Sequence, residues 1–385
     1  MPLSSPPTKT FLGRDPPRQD RINGVSAQQN VIISHNGWQY ATFYTSKVIE
    51  EPGSPLLVTL ARRRHDAGCS AAWATMILPD YEQVTDDGHN TISLGICAGD
   101  GTIHLSFDHH ADRAGLGSEA LYYYSASTHE YAFRGVYLTG INSNPYLNGM
   151  DYWNGRLHLS WTYRGFVDYE GARATDASIH QVPAGPNGSE NNHAVAYMYS
   201  DNAGKVWRNS AGQEVANVSF GETVLPTSRG IVVYDLAKHS GIANQEGQTV
   251  DRDGGFHILN RENTSGEERW RHYYRSPTGE WIARNLPDHL PRIDGPRGKM
   301  AVDRQSNLYF VLPGNHHPTL TVARSTKFTG YRDYEVLWEG TGYAAEPHIE
   351  IKDIDHGSIL SIFTVSCEED GKAHVVVLDL DVSII

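Results

Sequence analysis

Two histidines bracket a run of strand-forming residues, DDGHNTISLGICAGDGTIHLSFDHH (86–110), which is broken near its middle by the turn signal Gly-Asp-Gly at 99–101. If NTISLGIC and TIHLSFD pair antiparallel about that turn, their open ends meet, and His89 and His109 finish as neighbours on one rigid support. Two imidazoles beside a cation make a holder for a carboxylate. Arg164 supplies the cation: it ends NGRLHLSWTYR (154–164) at the place that matches His109 in the next unit, and a guanidinium can grip a carboxylate with two parallel hydrogen bonds. Tyr146, Tyr152 and Tyr163 flank this strand, and His193, in ENNHAVAYMYS, is expected at the same side. By contrast His104 and His158 sit inside alternating patterns, where a packed or outward histidine is expected. Adjacent strand residues point to opposite faces, so neither His109 with His110 nor His316 with His317 suits one metal ion unless the strand has ended.

The elements that must carry these side chains are strands. Apolar and polar residues alternate in short runs rich in Val, Ile, Tyr, Trp and Thr, such as QYATFYT, LLVTLARR, LYYYSAS, GIVVYDL, NLYFVLP and AHVVVLDL, with Gly, Asn and Asp clusters between them. That period of two predicts an all-β chain. Five runs share one plan, a polar turn and then a strand: they begin at residues 100, 154, 254, 305 and 356, spaced 54, 100, 51 and 51 apart. The double gap leaves room for a unit around YSDNAGKVW (199–207), which approaches an Asp-box turn, and NGWQYATFY (36–44) adds an earlier one. A period near 50 predicts a seven-bladed β-propeller over residues 31–385, a single domain, preceded by an extended proline-rich arm over residues 1–30. The competing all-β architecture is a large β-sandwich.

Composition narrows the partners. With 45 acidic and 32 basic side chains the chain carries −13, which argues against nucleic acid and anionic membranes, so an acidic ligand needs a local positive patch. No apolar run is long enough to span a membrane. Cys69, Cys97 and Cys367 allow at most one disulfide and form no zinc motif. Asn187, Asn217 and Asn263 stand in glycosylation acceptor sequences. The expectation is a secreted monomer, with a cytoplasmic protein as the alternative.

The histidine segment, with NGWQYATFY, VTLARR, LSWTYRG, YSDNAGKVW, HYYRSPTGEW and RGKMAVDRQSNLYFVLP in the same order, resembles the BNR-repeat polysaccharide lyases, seven-bladed propellers that include ulvan lyases. Within that group the pattern is similar to the fungal lyases that cleave L-rhamnose-α-1,4-D-glucuronate in gum arabic. The resemblance implies β-elimination on an acidic polysaccharide, releasing L-rhamnose and leaving a 4,5-unsaturated glucuronate. It assigns carboxylate neutralisation to His89, His109 and Arg164. It also implies a tyrosine serving as both base and acid, because the carbon-5 proton and the carbon-4 oxygen of a glucuronate share a ring face. Family members carry that tyrosine just before a proline; here Asn144 precedes Pro145 and Tyr146 follows it. Tyr146 is the expected base, with Tyr152 or a histidine as alternatives. His193, His272, Arg297 and Lys299 are expected to bind sugar hydroxyls or a second acidic group. Catalysis needs no cofactor on this reading; a structural metal ion is left open without ligands. The alternatives are an ulvan-type endo-lyase, an Asp-box propeller glycoside hydrolase and a glycan-binding propeller.

Overall fold

The computed structural model describes residues 5–49, 51–64, 71–107, 117–165, 188–293, 295–314, 318–354, 357–368 and 371–383. Two compact units divide the chain, Met1–Asp112 with Pro287–Ile385, and Arg113–Leu286. The first unit begins with Thr8–Arg14 (β1), Ile32–His35 (β2), Trp38–Ser46 (β3), Leu56–Arg64 (β4), Ala74–Ile77 (β5), Ile92–Ile96 (β6) and Ile103–Phe107 (β7). The second unit holds Ser118–Ser125 (β8), Glu130–Thr139 (β9), Ser143–Trp153 (β10), Arg156–Gly165 (β11), Asn192–Ser200 (β12), Val206–Arg208 (β13), Glu214–Asn217 (β14) and Val232–Tyr234 (β15). It ends with Gly247–Val250 (β16), Phe256–Glu262 (β17), Arg269–Arg275 (β18) and Trp281–Asn285 (β19). The chain then returns to the first unit with Lys299–Val302 (β20), Leu308–Gly314 (β21), Thr319–Ser325 (β22), Glu335–Thr341 (β23), His348–Ile354 (β24), Gly357–Cys367 (β25) and Ala373–Asp381 (β26). Among the described residues helix is confined to three single-turn 3-10 segments, so the chain is all-β, as the period of two requires.

Ladders between these strands are antiparallel, and neighbours in the chain are mostly neighbours in a sheet. In the first unit β2–β3–β4–β5 and β20–β21–β22–β23 are four-stranded meanders, β24–β25–β26 is completed by β1, and β6–β7 is a hairpin. In the second unit β16–β17–β18–β19 is a four-stranded meander, β10 to β14 form a longer sheet in which β15 also pairs with β12, and β8–β9 is a hairpin. Cores lie between the faces of successive sheets. Phe43 and Ala41 of β3 pack with Phe363 of β25 and Val375 and Val377 of β26 in one unit; Tyr197, Phe256, Ile258 and Tyr273 pack together in the other. The arm contributes to the fold, since β1 pairs with β26 from Thr8 opposite Asp379 to Arg14 opposite His374 and covers an edge that would otherwise present unpaired backbone groups.

Polar residues tie sheets and turns. Arg63 of β4 is buried, donates to Gln39 at 2.6 Å and ion-pairs with buried Asp379 of β26 at 2.6 Å. Turns repeat one device, in which a leading side chain accepts from amides two and four residues on: Asp251 from Asp253 and Gly255, Asp303 from Gln305 and Asn307, and Asn209 from Ala211 and Gln213. At 199–207 the expected Asp-box takes a different form. Ser200 accepts from the amide of Gly204, which has φ of 79°, and Asn202 accepts from Val206, while buried Trp207 stacks on Tyr137 with ring centres 5.2 Å apart.

Candidate functional site

In the second unit the hairpin β10–β11 sets Asn144 opposite Arg164 and Tyr146 opposite Thr162. Alternation along each strand therefore puts Asn144, Tyr146 and Arg164 on one face at one end of the sheet. The Arg164 guanidinium carbon lies 4.9 Å from the centre of the Tyr146 ring, a cation–π contact that fixes both side chains. Arg164 Nε donates to Oδ1 of Asn192 at 3.0 Å. Asn192, the first residue of β12 and 1% exposed, in turn donates through Nδ2 to the carbonyl of Ile242 at 3.0 Å. Both ends of its amide are committed, so the guanidinium is clamped on its Nε edge and supported from the ring face. Among the described residues no carboxylate pairs with Arg164, although acids outnumber bases by 45 to 32 in the chain. A half-buried guanidinium held in this way is a ready receptor for a carboxylate.

The other candidates fall in different places. Tyr152 is 66% exposed and lies six residues further along β10 than Tyr146, roughly 20 Å away at about 3.3 Å per residue. It therefore does not share the Arg164 end of the strand. Tyr163 is buried, and burial pushes its phenol up. His193 pairs with Tyr163 and stacks on it at 5.8 Å, which puts it on the face opposite Arg164 rather than beside it. The cause is an irregularity in the β11–β12 ladder at Ala194, whose φ of 57° inserts an extra residue and reverses the alternation of β12 at that point. Burial, with Lys238 nearby, holds the His193 imidazolium below its ordinary range, so the ring is neutral near pH 7. His272, expected to bind sugar, is 1% exposed within β18, and its Nε2 faces Nδ1 of buried His257 at 2.9 Å. His257 in turn reaches Asp251 at 3.3 Å. That ring nitrogen serves an interior chain of polar groups.

The first unit holds the rest. In the hairpin β6–β7, Ile92 faces Phe107 and Ile96 faces Ile103, the antiparallel pairing about Gly-Asp-Gly that the sequence predicts; Gly101 has φ of 75°, and the Asp100 side chain accepts from the Thr102 amide. His109 and His110 lie outside the described residues. His89 precedes β6 with its side chain 70% exposed, and Asp87 Oδ1 lies 2.7 Å from its Nδ1. A carboxylate there favours the tautomer with Nδ1 protonated. Asp87 is a residue that sequence reasoning passed over, though an Asp two positions before a His is the local signal for such a turn. The arm buttresses this loop: Asp86 accepts from the amides of Gln19 and Asp20, and a β-carbon at Gly88 would lie 2.7 Å from the Arg21 carbonyl oxygen, so only glycine admits that approach.

Lys299 begins β20 and Arg297 lies two residues before it, both occupied by internal partners. Arg297 donates to buried Glu346 at 3.0 Å, and Lys299 donates to the Ser26 carbonyl at 3.2 Å. Burial works against ionisation of Glu346, but Arg297, the amides of Ser26 and Arg297, and Lys299 together hold its carboxyl below the usual range. Lys299 thereby ties the arm to β20, while Arg297 ties the approach to β20 to Glu346.

Two stretches of the chain, 38–114 and 112–289, match the model of a BNR repeat-containing family. The chain belongs to that family. The crystal structure of polysaccharide lyase Uly1 is similar over 99% of this chain and 100% of its own, with a TM-score of 0.64 at 13% identity. This BNR-repeat chain therefore shares that fold. A family 117 glycoside hydrolase of the marine bacterium Zobellia galactanivorans is similar over 98% of this chain and 91% of its own, with a TM-score of 0.39 at 10% identity. A mutant Trypanosoma rangeli sialidase covers 98% and 59%, with a TM-score of 0.39 at 10% identity. No curated protein sequence matches the chain.

Proposed function

We propose that this chain is a carbon–oxygen lyase that cleaves rhamnose-α-1,4-glucuronate bonds in an acidic polysaccharide by β-elimination, and that its successive sheets are the blades of a seven-bladed propeller. The observation that carries the reading is Arg164, which is clamped by Asn192, seated on the Tyr146 ring and paired with no carboxylate among the described residues. Arg164 neutralises the uronate carboxylate, which lowers the cost of forming the enolate when the carbon-5 proton leaves. Charge stabilisation of this kind is commonly worth about 3–4 kcal/mol per preorganised donor. Tyr146 takes the carbon-5 proton. The electron pair of that C–H bond becomes the 4,5 double bond, the bond from carbon 4 to oxygen breaks, and Tyr146 returns a proton to the departing rhamnose oxygen. The resemblance adds His89 and His109 to carboxylate neutralisation, with Asp87 as the group that orients His89. The fold shared with a polysaccharide lyase supports the reaction class.

The test is incubation with gum arabic, and with ulvan in parallel, following the ultraviolet absorbance of an unsaturated uronate while assaying free rhamnose. Both signals rising together from gum arabic are expected. Rhamnose without absorbance would mean hydrolysis and sink the elimination; activity on ulvan alone would keep the mechanism and replace the substrate.

A further inference from the structure

At the end of β10 and β11 remote from Arg164, a cavity of about 260 Å³ opens among the turns of the second unit. Trp153, Arg156, His158, Asp201, Arg252 and Asp253 line it. Arg156 is held by Asp201 at 2.6 Å, and the Arg252 guanidinium lies 4.6 Å from the Trp153 ring centre. His158 is 1% exposed, and its ring is locked by stacking on Phe256 at 5.4 Å and by a 2.8 Å hydrogen bond between Nδ1 and the Tyr197 hydroxyl. Nε2 bonds to no described residue, so the ring edge that lines the cavity carries a hydrogen-bonding nitrogen with capacity to spare. Burial, reinforced by Arg156 and Arg275, pushes this imidazole down to about 3, so it is neutral in ordinary buffers.

From this geometry we infer a second ligand site, separate from Arg164, that takes one neutral sugar unit. Two guanidinium groups and two carboxylates leave the walls with no net charge, so a charged ligand would lose hydration without a matching counter-ion. A sugar ring instead offers hydroxyls that both donate and accept, matching donors on Arg156 and Arg252, acceptors on Asp201 and Asp253, and the spare nitrogen of His158. The volume is below the roughly 300–1,000 Å³ of drug-sized sites, which fits a single ring rather than a chain.

Saturation-transfer NMR with methyl glycosides of galactose and glucose, and methyl glucuronide as the charged control, tests this directly. Transfer to a neutral glycoside is expected. Its dissociation constant should rise at least about tenfold in Arg252→Ala and in Asp253→Asn, two variants that leave the core packing of His158 intact, and should stay unchanged in Arg164→Ala. The site assignment is overturned by no transfer to any neutral glycoside, by transfer that persists undiminished in both wall variants, or by transfer to the glucuronide alone. Because Arg164→Ala is predicted to keep this binding, failure of the elimination reading and failure of this one are told apart.

Discussion

Replacing Asn192 by alanine removes the acceptor of Arg164 Nε and leaves the Ile242 carbonyl without its donor. The guanidinium keeps its charge and its seat on Tyr146, so the loss is one of aim. A hydrogen bond to a charged group contributes about 1.5–3 kcal/mol. With each ~1.36 kcal/mol equal to tenfold in rate, kcat/KM on a glucuronate substrate should fall roughly 10- to 150-fold, short of the loss in Arg164→Ala. Asn192→Asp refines the test. It keeps the acceptor but sets a carboxylate against Arg164, satisfying the guanidinium internally, so its activity should approach that of Arg164→Ala. Rates come from the absorbance of the unsaturated product, with thermal melts to confirm folding. The Nε–H resonance of Arg164 gives a readout independent of activity, because Asn192→Ala should speed its exchange with water. Wild-type kcat/KM in Asn192→Ala beside an inactive Arg164→Ala would refute the positioning role, and full activity in both would remove Arg164 from the site.

Three further outcomes are expected. Tyr146→Phe should lower turnover by about 10²–10⁴, the usual weight of a general acid–base group, while Tyr152→Phe stays near normal; the reverse pattern would move the base to Tyr152. Breaking the buried Arg63–Asp379 pair with Arg63→Ala should cost about 3–5 kcal/mol by leaving a buried charge alone, seen as a lower urea midpoint, and a loss under ~1 kcal/mol would contradict it. Desolvation raises half-buried Asp151 from an ordinary value of 3.8 to about 6, against a lowering hydrogen bond from Gln248. An acid with a raised folded pKa holds its proton better in the folded chain, so its contribution to stability is complete below pH ~3.8 and lost as pH rises through about 6. Asp151→Asn should therefore gain stability over the wild type at pH 7 and lose that advantage near pH 3.8; an equal gain at both pH values would show that ionisation is not the cause.

Local regularities were legible in the chain. Alternation in LLVTLARRR and AHVVVLDLD announced β4 and β26, because successive strand side chains point to opposite faces wherever the strand lies. Hairpin arithmetic paired β6 with β7 about Gly-Asp-Gly, since a short turn leaves few registers open, whereas Tyr146 was named only for flanking the Arg164 strand and from the resemblance, and the β10–β11 register placed it there. Tertiary structure decided what depends on residues far apart in the chain. The irregularity at Ala194 turned His193 away from Arg164, Asn192 met Arg164 from 28 positions on, His272 met His257 inside a sheet, and Glu346 took up Arg297. None of these follows from a period or a spacing. They are set when sheet faces pack and each buried polar group must find a partner among whatever the packing brings within reach.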